Sequence, residues 1–117
     1  MIPFIALVHP NTVKESTAEL LRIMGCVHVS MGVESGLSDY RASILNRRMT
    51  NKQIVKSIKL LRSKGIHVSA YNLIGLPGMD RKHIFKTIDL NREANPHSSL
   101  VSIFIPYQDN DMTKNLI

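Results

Sequence analysis

The stretch from Leu60 to Ser69 reads LLRSKGIHVS, and the stretch from Leu20 to Ser30 reads LLRIMGCVHVS. The copies begin 40 positions apart, and each holds a Leu-Leu-Arg run, a glycine and a His-Val-Ser run in that order. A glycine after an apolar helical run ends a helix, because only glycine enters the left-handed conformation without strain. Each copy therefore predicts the end of a helix and the start of a strand, the repeating unit of parallel α/β folds.

The rest of the chain alternates in the same way. Continuous apolar runs predict strands, the first of them buried on both faces. Apolar residues three and four apart predict helices. In chain order we predict a strand over residues 2–8, a helix over 13–24, a strand over 27–33, a short helix or irregular segment over 37–45, a helix over 50–64, a strand over 67–74, a helix from 80 to about 93, and a strand over 100–105.

Local patterns predict where the helices begin and which sides they bury. Thr50 and Gln53 have the spacing of a capping box, and Asp80 is a suitable N-terminal cap. Gly25 and Gly65 end the first and the third helix. The predicted core-facing residues are Leu20, Leu21 and Met24 in the first helix, Ile54, Ile58 and Leu61 in the third, and Ile84, Phe85 and Ile88 in the last.

The fold class that follows is α/β, with four parallel strands alternating with helices. Helical crossovers between apolar strands imply parallel pairing. Four such strands form either a small open sheet or an arc cut from an eight-stranded barrel. An arc leaves two edges unpaired unless something covers them. The residues at the strand ends favour the arc.

Composition bounds the function further. The chain has 117 residues, which is one domain at most, and no run is long and apolar enough for a membrane span. We expect a domain over residues 1–107 and a loose polar tail over 108–117. Without a basic leader before its apolar N-terminus, the chain is expected to be cytoplasmic. The single cysteine, Cys26, excludes an internal disulfide and any cluster held by several thiolates of this chain.

The net charge of +6 is concentrated between Arg41 and Lys64. No Asp or Glu occurs between Asp39 and Asp80. Such a run can attract nucleic acid or another polyanion, or it can be the solvated face of an outer helix. Because no aromatic residue is interleaved with the basic ones, the solvated face is favoured over the polyanion site.

Three predicted strand ends carry unusual residues. In parallel α/β folds, ligands bind at the carboxyl ends of strands. A carboxylate and a hydroxyl lie between glycines in the first segment, and turn-forming residues leave the main chain free in the second. Each segment alone is a turn, but together they predict a binding rim: Gly32-Val33-Glu34-Ser35-Gly36, Asn72-Leu73-Ile74-Gly75-Leu76-Pro77-Gly78 and Phe104-Ile105-Pro106-Tyr107.

This series resembles the radical S-adenosylmethionine (SAM) superfamily, in particular its Elongator-like and cobalamin-dependent methylase and cyclase group. The resemblance extends to about Tyr107 and implies a partial barrel of six βα units, of which this chain is roughly strands three to six. Besides the three strand-end segments, the matching pieces are Ala6-Leu7-Val8-His9-Pro10-Asn11, Met24-Gly25-Cys26, Ile44-Leu45-Asn46-Arg47, Thr50 with Gln53-Ile54, Gly65-Ile66-His67-Val68 and Thr87-Ile88.

The resemblance also implies cofactors and site residues. Members bind a [4Fe–4S] cluster through a Cys-x-x-x-Cys-x-x-Cys loop, and the cluster cleaves bound SAM reductively. Glu34 and Ser35 match positions near the SAM ribose or its amino-acid end, and Arg47 matches a position near the SAM carboxylate. Asn72 and the loop with Gly75 and Pro77 match the surroundings of the adenosyl group, and Ile105-Pro106 matches its adenine side.

This sequence departs from the family pattern in several places. The cysteine triad and the second-strand Gly-Gly-Glu segment are absent, and Met79 replaces the usual Glu after Pro-Gly. The cluster ligands are therefore expected outside this chain, which is not expected to be active alone. The expected partners are the missing N-terminal barrel strands or a second copy. A non-catalytic α/β binding module with a basic polyanion-binding helix remains the alternative. The substrate stays open.

The cysteine and two of the histidines are expected to have structural roles. Cys26 stands where a helix stops before a strand, as a small buried hydrophobe does. His28 and His67 lie within predicted strands, where a position in the core or on the barrel lining is favoured over metal ligation.

Overall fold

The computed structural model describes residues 2–103. Four strands and four helices make up this part of the chain, with two helices between the second and third strands and one short 3₁₀ turn at Pro10–Thr12. The elements are β1 (Phe4–Val8), α1 (Glu15–Met24), β2 (Cys26–Glu34), α2 (Ser38–Ser43), α3 (Asn51–Ser63), β3 (His67–Ile74), α4 (Arg81–Ala94) and β4 (Ser98–Ile103).

The strands form one parallel sheet in the order β1-β2-β3-β4. Because the strands are parallel, their carboxyl ends lie at the same edge of the sheet. Near that edge Val8 pairs with Met31, Glu34 with Asn72, and Ile74 with Ile103. The predicted α/β class with four parallel strands is confirmed. Strand β4 begins at Ser98, two residues before the predicted start, where the N–H of His97 donates to Val68 O at 2.9 Å.

The core lies between the sheet and helix α3. Ile54, Ile58 and Leu61 are fully buried, as their spacing predicts. They pack against the helix-facing residues of β2 and β3, including Val29 and Val68. Both N-terminal caps of the long helices are present as predicted, at Thr50 with Gln53 and at Asp80 with His83.

The other face of the sheet is open within residues 2–103. Ile5 is 68% exposed and Leu7 87% exposed, and Tyr71 and Leu100 are also exposed on this face. The prediction that β1 is buried on both faces was therefore wrong for the described part of the chain. In an arc of a barrel this surface is the inner wall, and its other wall comes from strands beyond those four. We call it the inner face.

Two helices turn different sides to the core than their apolar residues predict. Ala18 is the buried residue of α1, whereas Leu20 and Met24 are more than half exposed. In α4 the buried stripe is Thr87, Leu90 and Ala94, whereas Phe85 and Ile88 are exposed. Helix α1 therefore contacts the core through Ala18 and the partly buried Leu21, and α4 through the stripe that contains Leu90.

Parts of the sequence predictions fall outside the described residues. Residues 104–105 of the predicted last strand, Pro106 and the predicted tail lie there, so the domain boundary at 107 stays a prediction. No helix within residues 2–103 is long and apolar enough to cross a bilayer.

Candidate functional site

Glu34 ends β2 in an unusual backbone conformation. Its φ is +69°, in the left-handed region that non-glycine residues rarely adopt. The pairing of β2 with β3 shifts between Gly32 and Glu34, so the strand deforms at this point. Strain of this kind persists only where the surroundings impose it, and it concentrates at functional sites.

Arg47 comes to the same strand end from the segment after α2. Its Nη2 donates to Gly32 O at 2.9 Å, while its buried Nε–H finds no acceptor within residues 2–103. A Cβ on Gly32 would lie 2.7 Å from Glu34 Oε1 and 3.3 Å from Arg47 Nη2. The missing side chain of Gly32 therefore leaves the space that the Glu34 carboxylate and the Arg47 guanidinium border.

The carboxylate and the guanidinium keep binding capacity for a ligand. Among the described residues Glu34 belongs to no ion pair and accepts no side-chain hydrogen bond. Burial raises the pKa of Glu34, and the nearby Arg47 charge opposes that rise. Burial together with Arg47 lowers the pKa of His9. The strand end thus combines a carboxylate acceptor with a partly unpaired cationic donor.

These groups line a concavity of about 330 Å³ on the inner face. This volume is at the small end of the range for small-molecule pockets, and the cavity opens toward the uncovered side of the sheet. Its lining residues are Leu7, Val8, His9, Ser30, Gly32, Glu34, Arg47 and Tyr71.

Three helices hold the two residues that follow Glu34. Arg41 Nη1 donates to Ser35 O at 2.6 Å, Asn51 Nδ2 donates to Gly36 O at 2.9 Å, and the Gly36 N–H donates to Thr87 Oγ1 at 2.8 Å. These donors and acceptors belong to α2, α3 and α4 in turn. We call residues 35 and 36 the anchored loop. Fixing it from three sides imposes the strained conformation of Glu34.

Arg41 is fully buried without an acidic partner among the described residues. Its Nη2 donates to Met49 O at 2.8 Å, and its Nε–H has no acceptor there. Burial and the Arg47 charge lower the pKa of Arg41 to about 10. Sequence reasoning missed this residue, because the basic run from Arg41 to Lys64 has no local signal that separates buried from exposed cations.

The structure brings together only some of the predicted site residues. Glu34 and Arg47 share the concavity, but the Ser35 side chain is buried and accepts from the Leu37 N–H at 3.2 Å. The Asn72 side chain lies on the helix side of the sheet. Its amide exchanges hydrogen bonds with Asn91 of α4 and donates to Leu100 O at 3.2 Å. Direct side-chain contact of Ser35 or Asn72 with a ligand on the inner face therefore does not follow from this geometry.

The remaining predicted residues lie at the same end of the sheet or outside the described part. The loop after β3 is tied to α2, because the Tyr40 hydroxyl donates to Pro77 O. Gly75 has a φ of +78°, which requires glycine at this turn. Pro106 lies outside residues 2–103.

The histidines of the inner face lie at its other end. The rings of His28 and His67 lie tilted at 30° with 4.7 Å between centroids, and those of His67 and His97 stack at 4.4 Å. Residues 2–103 contain no group of three or more His, Cys, Asp or Glu side chains that could hold a metal ion. Cys26 is buried, as predicted.

A family model described as the Radical SAM superfamily matches residues 2–90. The chain belongs to this superfamily. Over 102 residues it is 26% identical to the anaerobic magnesium-protoporphyrin IX monomethyl ester cyclase of Rubrivivax gelatinosus, covering 87% of this chain and 18% of the relative. Over 97 residues it is 26% identical to an uncharacterized methyltransferase of Pyrococcus horikoshii, covering 83% of this chain and 21% of the relative. The family that the motifs indicated is confirmed.

Solved structures of the superfamily share the fold. Coproporphyrinogen III oxidase (HemN) of Escherichia coli, a radical SAM enzyme, matches with a TM-score of 0.79 at 22% identity, covering 86% of this chain and 23% of that protein. The methyltransferase TsrM of Kitasatospora setae, solved with cobalamin and a [4Fe–4S] cluster, matches with a TM-score of 0.79 at 19% identity, covering 87% and 20%. This radical SAM chain spans about a fifth of the length of these relatives.

Proposed function

We propose that this chain is the part of a radical SAM enzyme that binds the nucleoside and amino-acid portions of SAM. The observation that carries the proposal is that Glu34 and Arg47 line one concavity, with both side chains beside the bare backbone of Gly32. TsrM, which shares the fold, has been solved with a SAM analogue. The match to the superfamily model covers the strand that ends in Glu34.

The chemistry of SAM suits these two side chains. Ribose hydroxyls donate hydrogen bonds, and the Glu34 carboxylate accepts them. The amino-acid end of SAM carries a carboxylate, and a guanidinium forms charge-assisted hydrogen bonds with such a group. The Nη1 group of Arg47 donates to no residue within 2–103 and is not among its buried atoms, so it is one donor available for that contact. In this proposal the loop with Gly75 and Pro77 offers main-chain groups to the adenosyl portion, and Pro106 closes its adenine side.

The proposal gives Ser35 and Asn72 an indirect role. Ser35 belongs to the anchored loop, and Asn72 joins β3 to α4 through Asn91. Both therefore maintain the shape of the strand ends, and neither touches SAM through its side chain.

In this proposal the [4Fe–4S] cluster is bound by residues outside this chain. When bound, such a cluster supplies the one-electron chemistry that cleaves SAM. A single cysteine does not fit its requirement for several thiolates, so the ligands lie outside this chain. What the chain's own residues do is bind SAM, orient it and close one side of the cavity.

The open surfaces indicate where the rest of the barrel would join. Within residues 2–103, β1 and β4 each have one neighbouring strand, and Leu7 on the inner face is exposed. In this proposal preceding strands of the same enzyme pair with β1, and a second copy of the chain is the other candidate for that edge. The substrate and reaction type belong to the whole enzyme.

The test is SAM binding to the 117-residue chain, measured by saturation-transfer NMR, which detects millimolar affinities. We expect Arg47→Met to weaken binding about tenfold to a hundredfold, the usual loss for a charged hydrogen bond. Glu34→Gln should reduce the transfer to the ribose protons. Arg48→Met is the matched control, because Arg48 is exposed beside the site and lines none of it. Equal binding by all three variants, or no binding by the parent chain, would overturn the proposal.

A further inference from the structure

A second large concavity lies outside the candidate site, on the helix layer. It measures about 900 Å³ and runs between the start of α1 and the first half of α3. We call it the lysine groove. Its lining residues are Pro10, Asn11, Val13, Lys14, Glu15, Lys52, Gln53, Val55, Lys56, Ser57, Lys59 and Leu60.

The charges of the lysine groove are unbalanced. Four exposed lysines line it, and none of them forms an ion pair within residues 2–103. The single carboxylate among the lining residues is Glu15, whose Oε1 is already paired with Lys64 Nζ at 2.6 Å. The free lysines are Lys14, Lys52, Lys56 and Lys59.

The lysines on α3 follow one helical stripe. Lys52, Lys56 and Lys59 occupy positions i, i+4 and i+7, so their side chains leave the same face over a span of about 10 Å. Val55 and Leu60 lie beside this stripe and contribute apolar floor, as does Val13 across the groove. The surface is therefore a cationic rim around an apolar floor.

This pattern distinguishes between classes of partner. Single-stranded nucleic acid requires stacking platforms, and no aromatic residue lines the lysine groove. An apolar floor beside a charged stripe matches the helix-in-groove mode, in which an amphipathic helix buries its apolar face. Charge complementarity then requires acidic residues on the helix beside that face.

We propose that the lysine groove docks an acidic amphipathic helix of a protein partner. The inference stands independently of SAM binding. It also places the partner near the candidate site, because Pro10 and Asn11 line the groove while the adjacent His9 lines the site concavity. The docked helix and the site concavity therefore lie on opposite sides of the β1–α1 connection.

The experiment uses the 117-residue chain and a fluorescein-labelled 18-residue helical peptide as the probe. The peptide carries Glu at i, i+4, i+7 and i+11 beside a Leu stripe, and a second peptide has the same composition in scrambled order. The groove variant is Lys52→Gln/Lys56→Gln/Lys59→Gln. The matched control is Arg81→Gln/Lys82→Gln/Lys86→Gln on α4, which removes the same charge from exposed positions. Circular dichroism checks that both variants keep the parent fold.

Fluorescence anisotropy should show that the striped peptide binds and that the groove variant weakens it about tenfold, the product of three surface ion pairs of modest strength. Added salt should weaken binding further. The α4 control should bind as the parent does, and the scrambled peptide should bind about tenfold more weakly. Equal losses in both variants, equal binding of both peptides or no binding of the striped peptide would refute the proposal. A 12-nucleotide single-stranded RNA that binds more tightly, with the same lysine dependence, would replace it with a nucleic-acid site.

Discussion

Gly36 is the position where adding a single methyl group should destabilise the fold most. An alanine Cβ there would lie 2.2 Å from Lys86 O, 2.3 Å from Lys86 C and 2.5 Å from Thr87 N. All three atoms belong to the backbone of α4, so no side-chain rotation relieves the overlap. Ordinary van der Waals contact begins at 3.4 Å, and the loop and the helix must therefore separate by about 1.2 Å, the difference from 2.2 Å.

That separation carries a calculable cost in the free energy of unfolding. It disrupts the bond from Gly36 N–H to Thr87 Oγ1 and weakens the one from Asn51 Nδ2 to Gly36 O. Two hydrogen bonds contribute about 2 kcal/mol together. Overpacking adds about 1–3 kcal/mol. We therefore expect Gly36→Ala to lower the free energy of unfolding by about 3–5 kcal/mol.

Gly78→Ala is the matched control, because its φ is +77° and no atom lies within 4 Å of its added Cβ. It should cost only the left-handed strain, about 1–2 kcal/mol. In urea denaturation with a slope near 2 kcal/mol per molar, Gly36→Ala should shift the midpoint by about 2 M and Gly78→Ala by less than about 1 M. If Gly36→Ala is no more destabilising than Gly78→Ala, the close packing of the anchored loop on α4 is wrong.

Three further expectations concern the same strand end and the histidines. Thr87→Val removes the acceptor of the Gly36 N–H and should cost about 1–2 kcal/mol in urea denaturation, most of which Thr87→Ser restores. Glu34→Gly relieves the positive φ and should stabilise the fold by about 1 kcal/mol while reducing SAM binding. Although His97 is exposed, partial desolvation in the first place and the Arg62 charge in the second lower its pKa, so the folded state disfavours its protonation. The free energy of unfolding should therefore fall as the pH drops below the ordinary value of 6.5, and His97→Gln should flatten that dependence in melting curves.

Each of these expectations has a contrary outcome. Equal stability of the Thr87→Val and Thr87→Ser variants would show that the Thr87 hydroxyl does not hold the anchored loop. A destabilised Glu34→Gly variant would mean that the side chain supports the fold more than its backbone strain opposes it. A parent chain whose stability is unchanged between pH 7 and pH 5 would contradict the lowered pKa of His97.

The local elements were predictable because their signals act over a few residues. A cap at Thr50 bonds the N–H three residues later, and Gly25 with a φ of +98° ends its own helix. The order of strands and helices followed from such signals. The sides that α1 and α4 bury were only partly predicted. Leu21 packs against the core as predicted, but apolar periodicity does not record that Ala18 in α1 and Thr87 in α4 face the sheet.

The basic segment shows the limit most clearly. In the sequence Arg41, Arg47 and Lys56 are members of one cationic run. In the fold Arg41 is buried in the anchor, Arg47 lines the candidate site, and Lys56 lines the lysine groove on the helix layer. The burial of each side chain and the way it points depend on residues far away in the chain. Composition therefore predicted the positive charge but not the three different places where these side chains lie.

The sequence by itself therefore determined the succession of four strands and three helices, the caps and glycines that delimit them, and membership of the family. It left residues 37–45 open between a short helix and an irregular segment. The tertiary structure decided that Gly32 opens space for Glu34 and Arg47, that Gly36 packs on α4, and that the Asn72 side chain turns to the helix layer. The physical reason is the distance along the chain between the interacting residues. Turns and caps are interactions between near neighbours, whereas a binding cavity is made by contacts between elements that meet only after the sheet has formed.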